Sequence, residues 1–78
     1  MPTTLRIGLY RLFFYSNERD EPSHIHVQRE ENKAKFWLRP VRLQQSGGFS
    51  RPEIHRIQKL VEENQEILLR GWHEYFGD

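Results

Sequence analysis

Glu21-Pro22-Ser23-His24-Ile25-His26-Val27 begins with a turn former and runs into alternating imidazole and aliphatic side chains. Successive residues of a β-strand point to opposite faces, so His24 and His26 share one side while Ile25 and Val27 share the other. With the aliphatic pair directed into a core, both imidazoles stand on the opposite surface, close enough to share a metal ion, an anion or a proton-transfer step. The stretch predicts a strand over about residues 24–29, buried on one face, with a candidate site at its start.

Upstream, Leu5-Arg6-Ile7, Gly8-Leu9 and residues 10–15 read as one long strand, bent or interrupted at Gly8, because aromatic and branched residues dominate and a glycine inside a strand often marks a bulge or kink. Leu12, Phe13 and Phe14 are consecutive and apolar, which predicts a strand covered on both faces and places residues 10–15 in the middle of the sheet. Residues 16–23 form the loop between, with Asn17, Asp20 and Pro22 as turn formers.

Downstream, Glu30-Glu31-Asn32-Lys33 makes a polar turn, and residues 34–38 alternate cleanly. Ala34, Phe36 and Leu38 fall on one face and Lys35, Trp37 and Arg39 on the other, the pattern of a half-buried antiparallel strand. Pro40 ends it, and Val41-Arg42-Leu43 reads as a short final strand before the loop at 44–48.

The helix start is marked by three signals. Ser50 with Glu53 forms a capping box, Phe49 and Ile54 bracket the cap as a hydrophobic staple, and Pro52 lies in the first turn where its missing N–H costs nothing. From Ile54 to Phe76 apolar residues recur at three- and four-residue spacing. A straight helix over residues 51–76 would be about 39 Å long, longer than a domain of this size is wide. It therefore either bends near Asn64 or Gly71 or projects one end toward another chain. The fold class expected is α+β: an antiparallel sheet of three or four strands followed by one long C-terminal helix, packed on the face formed by Ile25, Val27, Ala34, Phe36 and Leu38. Residues 1–78 read as a single domain.

At 78 residues only about 60% of the unfolded surface can be buried, so stability is marginal unless a staple or a partner helps. The absence of cysteine excludes disulfides and thiolate metal sites. No apolar run resembles a signal peptide or approaches the roughly 18 residues of a membrane span, so a soluble cytoplasmic protein is expected. The net charge is only +1, yet residues 1–45 carry eight Lys/Arg against five Asp/Glu and residues 46–78 carry four against six, giving +3 and −2. With a pI near 8.2 the chain lacks the strongly basic balance of a dedicated nucleic-acid binder.

Taken together, Phe14-Tyr15, the acidic loop, Glu21-Pro22-Ser23-His24-Ile25-His26-Val27, Ala34-Lys35-Phe36 and a final helix with Leu60-Val61 and Glu66-Ile67-Leu68-Leu69 before Trp72 resemble a family of small bacterial proteins known as domain of unknown function 4160. The resemblance covers nearly the whole chain, and its specific part is the Pro-x-His-x-His segment followed by Leu68 and Trp72. Where the family usually carries a second proline after the first, this chain has Ser23, a change that loosens the loop and leaves the histidines in place. Members are often encoded beside a second small protein, in the manner of toxin–antitoxin gene pairs. That arrangement implies a partner protein from the neighbouring gene; no activity follows from the family name.

Three functional readings remain. The first is a protein-binding module, with His24, His26, Lys35, Trp37, Arg39, Trp72 and Tyr75 as candidate contact residues, and with a homodimer as a further arrangement in which Trp72 and Tyr75 serve as anchors. The second is a metal-independent ribonuclease or nucleic-acid binder, in which His24 and His26 are acid and base and Lys35 stabilises the phosphorane. The third is a transition-metal site built on His24 and His26 with Asp20, the acids Glu18, Glu21 and Glu30 and the helical His55 and His73 being other donors within reach of a fold. No cofactor is otherwise expected. The bland alternative is that both imidazoles simply pin the acidic loop to the sheet.

Overall fold

The computed structural model describes residues 5–77. Five strands, β1 (Leu5–Ile7), β2 (Tyr10–Phe13), β3 (His24–Arg29), β4 (Asn32–Leu38) and β5 (Val41–Gln45), precede two helices, α1 (Arg51–Glu63) and α2 (Gln65–Phe76). The strands pair antiparallel in chain order, so the sheet is a meander with β3 at its centre. The architecture is α+β as expected, with more strands than the three or four foreseen and two helices where one was foreseen.

Each difference has a local cause. Gly8 interrupts the segment rather than bending it: it takes φ +58° as the first residue of a two-residue turn, and Ile7 pairs directly with Tyr10. A glycine in the first central position is what a tight hairpin of matching twist requires. The segment 10–15 thus contributes β2, second in the sheet and flanked on both sides, while the central place goes to the histidine strand. Likewise Arg39-Pro40 forms a tight turn with a cis peptide bond, and β5 runs on to Gln45, two residues beyond the short strand expected.

The helical segment breaks at Asn64. Its side-chain amide donates to the Leu60 carbonyl at 2.8 Å and its backbone N–H to Val61, so the residue caps α1 from inside the chain. Asparagine competes with helical hydrogen bonding in this way. The longest dimension of the molecule is 34 Å, less than an unbroken helix would need, and the break lets both halves lie on the sheet. Gly71, the other candidate hinge, lies inside α2.

α1 buries Ile54, Ile57 and Val61, and α2 buries Leu68, Trp72 and Phe76, each set on one stripe at helical spacing. These pack with Leu12, Ile25, Val27, Ala34, Phe36 and Leu38 from the sheet. Ser50 caps α1 by accepting from the Glu53 N–H at 3.3 Å. The Glu53 carboxylate takes Tyr10 and Arg29 instead of returning to the cap, tying the helix start to β2 and β3. Tyr10 accordingly belongs to the helix-covered face rather than to the face of the histidines.

Candidate functional site

Register decides what surrounds the imidazoles. On the sheet face away from the helices, His26 pairs with Phe13 on one side and Lys35 on the other, and His24 pairs with Trp37, which in turn pairs with Arg42. Directly opposed residues of an antiparallel ladder share a face. His24, His26, Lys35 and Trp37 are thereby brought together, their ring centroids 5.2 Å apart for His24 and His26 and 5.8 Å apart for His24 and Trp37. Arg39, expected on the same strand face, sits exposed in the turn after β4.

The connection between β2 and β3 folds back over this row. Two successive turns, closed by Glu18 N–H to Tyr15 O and Glu21 N–H to Glu18 O, direct the Glu18 carboxylate onto the strand. One of its oxygens accepts from the Tyr15 N–H at 2.9 Å. Its two oxygens lie 2.9 Å from His24 Nε2 and 2.9 Å from His26 Nε2 respectively. Lys35 reaches Glu21 and Lys33 reaches the Tyr15 hydroxyl, fastening the same loop at two further points.

The cluster is largely closed to water. His24 has no exposed side-chain surface, and His26 and Glu18 retain 10% and 13%. Phe13 and Tyr15 flank His26, while Trp72 approaches His24 from α2 with ring centroids 4.9 Å apart. Burial works against the charged form of Glu18, but the Tyr15 N–H and the two imidazoles outweigh it and hold the carboxyl below the usual carboxylate range. For His26 burial dominates over the neighbouring Glu18 and lowers the imidazole below its ordinary value.

Of the acids near the strand, Glu18 is the one that reaches both rings, whereas Asp20, taken with the histidines as the third metal donor, is exposed in the loop. Which acid turns inward depends on the two consecutive turns, and the only sequence signal for it is the spacing of polar turn formers around Glu18. Trp72, a candidate contact residue, is 2% exposed and belongs to the core. Tyr75 is far more open and stacks edge-on against Phe14. His55 lies exposed on α1 and takes no part in the cluster.

The chemical scope follows from this geometry. Two imidazoles that both need to touch a phosphodiester must be exposed, and His24 is not, so the arrangement does not suit an acid–base pair acting on RNA. What remains accessible beside the cluster is a cleft of about 280 Å³ lined by Pro22, Ser23, Trp37, Arg39, Pro40 and Arg42. A family model described as Domain of unknown function (DUF4160) matches residues 10–73. No curated protein and no solved structure matches this chain.

Proposed function

This chain belongs to the family Domain of unknown function (DUF4160), and because that description assigns no activity, we propose from the geometry that it is a protein-binding module of a bacterial two-gene, toxin–antitoxin-like pair, docking an acidic segment of its partner in the Trp37 cleft. The observation that carries the reading is the composition of that cleft: a half-buried Trp37 between the exposed guanidinium groups of Arg39 and Arg42. Among the described residues neither arginine has a carboxylate partner. Tryptophan and arginine in a rimmed pocket are the residue types that dominate interface energetics. Unpaired guanidinium groups beside an apolar floor favour a carboxylate-bearing partner, whose charge also speeds encounter.

Protein is favoured over nucleic acid by the small number of cations that line the cleft, Arg39 and Arg42. A duplex-binding surface neutralises roughly 6–10 phosphates. Here Lys35 is occupied by Glu21, Arg29 by Glu53, and the overall pI stays near 8.2. No helix among the described residues is long and apolar enough to cross a membrane. The absence of cysteine fits work in the reducing cytoplasm.

Co-expression with the product of the adjacent gene tests the reading. A complex is expected that weakens about 30-fold or more with Trp37→Ala, the effect of losing a hot-spot side chain. Arg39→Glu with Arg42→Glu should dissolve it, and rising salt should slow its formation. Failure to form a complex, or a complex indifferent to all three substitutions, overturns the assignment. A homodimer lost on the same substitutions would put a second copy of this chain in the cleft and exclude the neighbouring protein from it.

A further inference from the structure

We propose that Glu18, His24 and His26 form a binding site for one divalent transition-metal ion of the zinc class, with both imidazole Nε2 atoms and a Glu18 carboxylate oxygen as ligands. The donor atoms of the three residues all lie within 4.8 Å of one another. An ion held at about 2.0–2.1 Å from each would separate tetrahedral ligand atoms by about 3.4 Å. From one carboxylate oxygen, Glu18 Oε1, the separations are 2.9 Å to His24 Nε2 and 3.2 Å to His26 Nε2, so shifts of up to about half an ångström bring that oxygen to ligand spacing from both rings.

The ring orientation of His24 supports the assignment independently of the clustering. Its Nδ1 lies 2.9 Å from the Pro22 carbonyl oxygen. A carbonyl only accepts, so Nδ1 carries a hydrogen and Nε2 is the nitrogen turned toward Glu18. Ring orientation by a backbone carbonyl on the far nitrogen is the usual preparation of a metal-ligating histidine. That Nε2 is fully buried and has no hydrogen-bond partner among the described residues, although Glu18 Oε1 is 2.9 Å away. At that separation a positive charge, carried by a proton or by a metal ion, lies between the nitrogen and the carboxylate oxygen.

The donor set selects the ion. Imidazole with carboxylate suits zinc, cobalt and nickel rather than calcium or magnesium, which prefer oxygen donors throughout. Trp37 and Trp72 wall the His24 side, and the remaining exposure of Glu18 and His26 leaves one approach for the ion and for a solvent oxygen at the fourth position. Bound there, the ion would staple the loop to β3, and Pro22 and Ser23 of that loop form one wall of the Trp37 cleft. A cysteine-free chain of 78 residues gains the cross-link that its small core lacks.

The test titrates Zn²⁺ into chelator-treated full-length protein by calorimetry, follows Tm, and repeats the titration with Co²⁺ to record its visible absorption. One ion per chain is expected, with Tm raised by about 10 °C or more at a hundredfold excess over Kd. Glu18→Gln, nearly isosteric and placed in a loop, should weaken binding about 100-fold or more while the far-UV spectrum stays native. His26→Ala should do the same, and His55→Ala should leave binding unchanged. An unmoved Tm in wild type, or affinity that survives Glu18→Gln but falls with His55→Ala, overturns the site. Nitrogen NMR of metal-free protein showing a protonated His24 Nε2, together with no response to Zn²⁺, would give the positive charge to a proton and end the proposal.

Discussion

The indole of Trp72 lies with its centroid 4.9 Å from that of His24, so the last turns of α2 wall in an imidazole that belongs to the opposite face of the sheet. The same indole packs against Phe14 at 5.1 Å and Phe76 at 4.4 Å. One side chain thus joins the helix core to the histidine cluster. Replacing a buried tryptophan by alanine costs about 3–5 kcal/mol through lost transfer energy and the cavity left behind. Trp72→Ala is expected to lose that much in urea unfolding and to expose the His24 ring to solvent, whereas Trp72→Phe should lose less. A Trp72→Ala protein as stable as wild type would show that α2 does not close this end of the sheet.

Glu53 holds the start of α1 to the sheet and makes that attachment pH-dependent. The Arg29 hydrogen bond first, and the Tyr10 hydroxyl second, lower its carboxyl below the ordinary value. A carboxyl depressed in the folded state stabilises the fold above its unfolded pKa, and the stabilisation disappears as pH falls through the folded pKa. Wild type should therefore lose stability through the acid range below about pH 4.5. Glu53→Gln should show a shallower acid decline in Tm measured from pH 6 down to pH 2. Parallel curves for the two proteins would mean that the Arg29 contact contributes nothing to acid sensitivity.

Glycines 8 and 47 share φ +58° but not their surroundings. A Cβ built on Gly8 meets no atom within 4 Å, whereas one on Gly47 would collide with the Lys33 carbonyl oxygen. Gly8→Ala then carries only the left-handed backbone penalty of about 1–2 kcal/mol. Gly47→Ala adds a backbone clash that forces the 46–49 turn off β4, where Lys33 N–H donates to the Gly47 carbonyl at 3.3 Å. The expected order of unfolding midpoints is wild type, Gly8→Ala, Gly47→Ala. Equal losses would show that the turn moves freely away from Lys33.

The face assignment of residues 24–27 was legible because a period of two admits no other arrangement once Ile25 and Val27 are buried. The Ser50 helix start and the susceptibility of Asn64 to ending a helix were legible for similar reasons, since capping and side-chain competition act within four residues. Gly8 was misread because strand-forming residues on both sides outweighed the Gly-x turn signal between them. The loop acid facing the histidines was not decidable, because Glu18 and Asp20 differ only in how two turns stack. Trp72 against His24 was hidden for a different cause: the contact spans the whole fold and depends on where the helix break sends α2.

The division of labour at the helix start gives a last test. In a reciprocal capping box the Glu53 side chain would return to the Ser50 N–H, and the two residues would lose stability together. Here Ser50 Oγ accepts the Glu53 backbone N–H, while the Glu53 carboxylate is engaged with Arg29 and Tyr10. Ser50→Ala removes the cap whatever residue 53 carries, at a cost of about 1 kcal/mol. Combining it with Glu53→Gln at pH 7 should give additive losses within about 0.5 kcal/mol, as for independent interactions. A coupling energy well above that, read from the four urea-unfolding curves of the double-mutant cycle, would restore the reciprocal box and weaken the role assigned to Arg29.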